Sequence, residues 1–125
     1  MRAKAKPEFW TSERCFISEL LNDPSYPELS IARCRVEPGV TTQNHSLSVH
    51  EVYVIEEGDG LMMLGDKAPF PVGPGDTVAI PAGRPQRIRN TSSTDLIFVC
   101  VCTPRFTTDC YAPLAGGDAG DDEPE

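Results

Sequence analysis

No stretch of the 125 residues is apolar for long enough to cross a bilayer. Nor is there a cluster of Lys and Arg that would give the basic face a phosphate backbone demands. Membranes and nucleic acid are therefore not expected as partners. The formal charge is −8, with 11 Lys and Arg against 19 Asp and Glu, but Asp118, Asp121, Asp122, Glu123 and Glu125 supply five of the negatives, so the acidity is largely a tail property. The start, "MRAKAKPEFW", is basic yet lacks the apolar segment of a signal peptide, which leads to the expectation of a cytoplasmic protein. The five cysteines form an odd set without a Cys-x-x-Cys pair, so free thiols are expected in place of a disulfide framework or a thiolate metal site. Helical periodicity is almost missing as well.

What remains is a succession of short alternating runs between Gly and Pro turns. "LSIARCRVEPG", "HEVYVIEEGDG", "LMMLGDKAPFPV", "GPGDTVAIPAG", "QRIRN" and "LIFVCVCTPRF" read as strands, with a further edge strand expected from about Cys15 to Leu20. Six or more such strands in one small chain describe an all-β protein, an antiparallel barrel or sandwich able to keep a pocket inside itself. The expected organisation is an N-terminal arm over 1–28, a barrel over 29–114 and a disordered acidic tail over 115–125, since "AGGDAGDDEPE" has no apolar anchor. Cys100 and Cys102 have strand spacing and share one face; an inward face would put them in a pocket near Cys34.

Two spaced motifs carry a resemblance. Gly39 is followed after five residues by His45, then by Leu47, Glu51 and, after six more residues, Gly58. Further on, Gly75, Pro81, Gly83, Gln86 and Asn90 keep a second pattern. Together they resemble the two motifs of the cupin superfamily, with leucine at Leu47 and glutamine at Gln86 where the family usually has histidine. The resemblance covers roughly residues 31–106. It implies a double-stranded β-helix, that is, an antiparallel jelly-roll barrel, and it implies a homodimer.

The resemblance further implies one divalent metal ion, Mn, Fe, Ni or Zn, held by His45, Glu51 and Gln86. A neutral amide is a weak donor for such an ion, so the set is weakened. His50, next to Glu51, should face away from it in a regular strand, unless a bulge turns it inward as a replacement ligand. Tyr53 shares the face of Glu51, which makes these two the candidate catalytic residues. Asn90 shares the face of Gln86, and Arg33 and Arg35 share one face of their strand; an inward face would let these three bind substrate, the arginines through a carboxylate. The expected function is that of a metal-binding cupin acting on a small carboxylated or enolisable molecule by oxygenation, isomerisation or decarboxylation. The alternative is a metal-free or non-catalytic small-molecule binder.

Overall fold

A computed structural model describes residues 1–115. The elements in chain order are β1 (Phe9–Trp10), β2 (Phe16–Leu21), β3 (Ser30–Val36), β4 (His45–Leu47), β5 (His50–Glu57), β6 (Gly60–Leu64), β7 (Phe70–Val72), β8 (Thr77–Ile80), β9 (Gln86–Asn90), β10 (Leu96–Thr103), one 3₁₀ turn at Thr108–Cys110, and β11 (Tyr111–Pro113). Two sheets face each other. One runs β1-β2-β3-β10-β5-β8 and the other β11-β4-β9-β6-β7. Every recorded pairing is antiparallel.

The alternation in sequence explains which side chains meet between the sheets, because successive residues of a strand face opposite ways. In β10, Leu96, Phe98, Cys100 and Cys102 are buried while Ile97, Val99 and Val101 are partly exposed. In β9, Gln86, Ile88 and Asn90 point inward. Phe98, Ile55, Met62, Ile88 and Leu96 are among the largest side chains that are almost wholly enclosed. A smaller apolar cluster of Leu47, Val49, Cys102 and Cys110 sits apart from this core.

The strands expected from alternating runs are all present, whereas β1, β4 and β11 are too short to leave a periodic signal. β2 is not the edge strand: β1 pairs on its outer side and β3 on its inner side. The arm at 1–28 is thus continuous with the six-stranded sheet. Gly58 has φ +82°, and a Cβ there would lie 2.6 Å from the Asp95 carbonyl oxygen, so the β5–β6 turn requires glycine. Gly60, two residues on, does not adopt positive φ. It is needed because its backbone passes against Arg89 O and Leu96, each 3.0 Å from a Cβ built there. Of the tail expected over 115–125, residues 116–125 lie outside the described residues.

Candidate functional site

Pairing of β4 with β9 places His45 directly opposite Gln86 on one sheet. The facing strand β5 contributes Glu51 and Tyr53, two residues apart and both buried. Gln86 joins the two sheets. Its Nε2 donates to Glu51 Oε1 at 2.8 Å, and its Oε1 accepts from the Tyr53 hydroxyl at 2.6 Å. The Tyr53 ring in turn stacks on Phe98, with centroids 4.5 Å apart. The second Glu51 oxygen lies 3.8 Å from the Cys102 thiol.

His45 is held from three sides. Its Nδ1 is 2.8 Å from the Gln43 carbonyl oxygen, which can only accept, so that nitrogen carries the proton. Its ring stacks on Tyr111 with centroids 5.0 Å apart. Its Nε2 points to Glu13 Oε1 at 3.9 Å. Glu13 belongs to the turn between β1 and β2, ahead of both motifs, and nothing in its local sequence marks it as a site residue. The turn is fixed by hydrogen bonds from the Thr11 amide to Cys15 O and from the Gln43 amide to Glu13 O.

These groups open onto a cavity of about 320 Å³ between the sheets. His45, Glu13, Glu51 and Tyr53 line it, as do Cys34, Cys100 and Cys102, which puts the cysteines where an inward strand face would have them. Burial pushes the Glu51 carboxyl above its ordinary value, against the opposing effects of the Gln86 hydrogen bond and nearby His45. Burial likewise raises Glu13, with His45 opposing. Tyr53 is raised well above the usual phenol value, first by burial and then by the Glu51 charge, so it is a poor proton acceptor. Its hydroxyl orients Gln86. Cys34 and Cys100 lie sulfur to sulfur at 3.5 Å, both held as thiols by strongly raised pKa values.

Several expected site residues stand elsewhere. Arg33 and Arg35 lie on the outer face of β3, because Cys34 and Val36 take the inner one. Arg33 is 3.8 Å from Glu56, and Arg35 pairs with Glu8 and Asp95 and covers the Phe16 ring. Neither lines the cavity. Asn90 is buried but committed to the backbone: its Nδ2 donates to Val36 O and Thr94 O, and its Oδ1 accepts from the amide and hydroxyl of Ser92. It organises the β9–β10 turn and does not line the cavity. His50 is exposed and accepts from the Ala82 amide at 3.3 Å, so no bulge turns it inward.

The donor atoms do not suit a divalent ion. The Gln86 oxygen, a weak neutral donor, already accepts from Tyr53, which leaves it one lone pair, and the amide turns its N–H to the Glu51 carboxylate that a metal would also need. Leu47 has left the ligand set for the apolar cluster with Val49, Cys102 and Cys110. Among the described residues no three His, Cys, Asp or Glu side chains gather in a way that would hold a metal. Of the expected His45, Glu51 and Gln86, the last two are joined with Tyr53 by hydrogen bonds, while His45, opposite Gln86 on β4, turns to Gln43 O and Glu13.

Comparisons with known proteins agree on the architecture. A cupin domain model matches residues 32–102. An uncharacterized protein of Methanocaldococcus jannaschii is 36% identical over 107 residues, which are 83% of this chain and 84% of that protein. The oxalate decarboxylase of Bacillus subtilis superposes with a TM-score of 0.74 at 19% identity, over 90% of this chain; the chain spans 30% of the decarboxylase. Pac13 of Streptomyces, a nucleoside dehydratase, superposes with a TM-score of 0.75 at 15% identity, over 91% of this chain and 90% of its own. At such identities these solved structures attest the fold alone. The motif spacing, the two facing antiparallel sheets and the matched domain together make this chain a member of the cupin family.

Proposed function

We propose that this cupin binds a small organic molecule between its sheets and moves a proton on it with Glu51, without a metal ion. The observation that carries the reading is the Tyr53–Gln86–Glu51 chain of hydrogen bonds, which ties a would-be metal ligand to two protein partners while fixing a carboxylate in the cavity wall. A carboxyl raised by burial holds its proton at higher pH than usual, which suits a group that must both accept and return one. With an enolisable ligand, Glu51 takes the proton from the carbon beside a carbonyl. The C–H electron pair forms the C=C bond of an enolate as the carbonyl π pair moves to oxygen, and return of a proton from Glu51 to the same carbon restores the ketone with its hydrogen exchanged.

The test is deuterium uptake by hydroxyacetone and phenylacetone in D2O, followed by proton NMR with and without EDTA. Exchange faster than in buffer and unchanged by EDTA is expected, with Glu51→Gln slowing it by about a hundredfold or more. Exchange that EDTA abolishes and manganese restores would replace this reading with a metal-dependent one. No exchange on either ketone would leave a binder without turnover.

The proposal extends to a homodimer. Phe9 and Trp10 on β1, at the edge of the six-stranded sheet, are 52% and 54% exposed, and an unpaired apolar edge favours a second copy. Light scattering on the eluted peak checks this: a mass near the 13.6 kDa of one chain would sink it.

A further inference from the structure

We infer that the cavity selects a ligand with an apolar body and a hydrogen-donating head, an amine or a hydroxyl, and rejects carboxylates, with Glu13 as the group that reads the head. The inference rests on the proposal that the cavity binds a small molecule and names the class of that molecule.

The charge of the lining carries the argument. Three carboxyl groups, Glu13, Glu19 and Glu51, face the cavity, His45 is the one basic side chain among its lining residues, and no Lys or Arg lines it. Three cations beside lining residues have partners of their own. Lys6 lies 4.0 Å from Glu19, Arg105 donates to the Asn22 amide oxygen at 2.7 Å, and Arg14 donates to Thr41 O. A carboxylate ligand would enter a poorly solvated space beside groups of its own sign with no guanidinium to receive it, and an unpaired buried charge is costly. The arginines on β3 that would have suited a carboxylate are on the far side of their strand.

Glu13 differs from the other two acids. Glu19 accepts from Asn22 Nδ2 at 2.9 Å, and Glu51 accepts from Gln86. For Glu13 the recorded partner is His45 Nε2 at 3.9 Å, beyond hydrogen-bond length, although the side chain is only 21% exposed. Among the described residues no buried side-chain oxygen lacks a partner, so the Glu13 carboxyl reaches accessible space in the cavity wall, with acceptor capacity open to a donor that enters. An ammonium or hydroxyl seated between Glu13 and His45 supplies that donor. Phe9, Ile17, Leu47, Phe98 and Phe106 surround the remaining volume and fit an aromatic or aliphatic body.

Three probes of one size separate the outcomes: benzylamine, benzyl alcohol and benzoate, each titrated into 15N-labelled protein while amide shifts are followed. Benzylamine and benzyl alcohol are expected to move resonances of cavity-lining residues, and benzoate is not. Glu13→Gln should weaken benzylamine about tenfold, the loss of one charge-assisted hydrogen bond, and benzyl alcohol less. Benzoate binding as tightly as benzylamine, or an unchanged ratio of the two in Glu13→Gln, overturns the assignment while leaving the cavity a binding site. Silence from all three probes removes the binding cavity and this inference with it.

Discussion

Phe98→Ala is expected to destabilise the fold by about 3–5 kcal/mol, the range for removing a buried phenylalanine ring. Phe98 lies on β10, between β3 and β5, with 2% of its surface exposed. Truncation would lose the burial of the ring and leave a void joined to the existing cavity, which the surrounding strands can close only in part. Small domains are stable by about 5–15 kcal/mol, so the variant should stand near its unfolding limit. Urea unfolding reads the effect as a lower midpoint at similar slope. A loss below about 1 kcal/mol would mean that the two sheets are not packed through this ring. Because Phe98 also stacks on Tyr53, the variant should loosen the hydroxyl that holds Gln86.

The site was legible in sequence as far as strand parity and motif spacing reach. Glu51 and Tyr53 alternate within a long strand, so their common face follows from two-residue periodicity, and Gln86 keeps its spacing from Gly75. Parity does not say which face is the inner one. That is why Arg33 and Arg35 could be placed on a common face yet not on a side, although Cys34 and Val36 between and beyond them are the better core residues. The part Asn90 plays in the fold was hidden because it depends on Ser92 and Thr94 in the turn that follows. Glu13 was invisible for another reason. It arrives from a turn 32 residues ahead of His45 in sequence, and nothing short of the pairing of β1, β2 and β3 brings it to the cavity. The use of Gln86 likewise depends on which end of its amide faces Tyr53, a choice set by its neighbours.

Restoring the two altered positions should produce the second large effect. Leu47→His combined with Gln86→His puts imidazoles where the apolar cluster and the amide now stand, beside His45 and Glu51. Three imidazoles and a carboxylate are a strong donor set for divalent zinc, nickel or manganese, whereas the present leucine offers no donor and the amide oxygen is a weak one that already accepts from Tyr53. The double variant is expected to go from no retained metal to close to one ion per chain. Failure to gain metal would mean that β4 and β9 do not bring these side chains to a common point.

Elemental analysis of the natural chain beside that variant tests the central claim most directly. Both are expressed with manganese, iron, nickel and zinc supplied and purified without chelator. The hydrogen-bonded site predicts only traces of metal in the natural chain and near-stoichiometric metal in the double variant, which shows that the conditions allow loading. Close to one ion per natural chain, lost when His45 is changed to Ala, would contradict the account and return His45, Glu51 and Gln86 to the role of metal ligands.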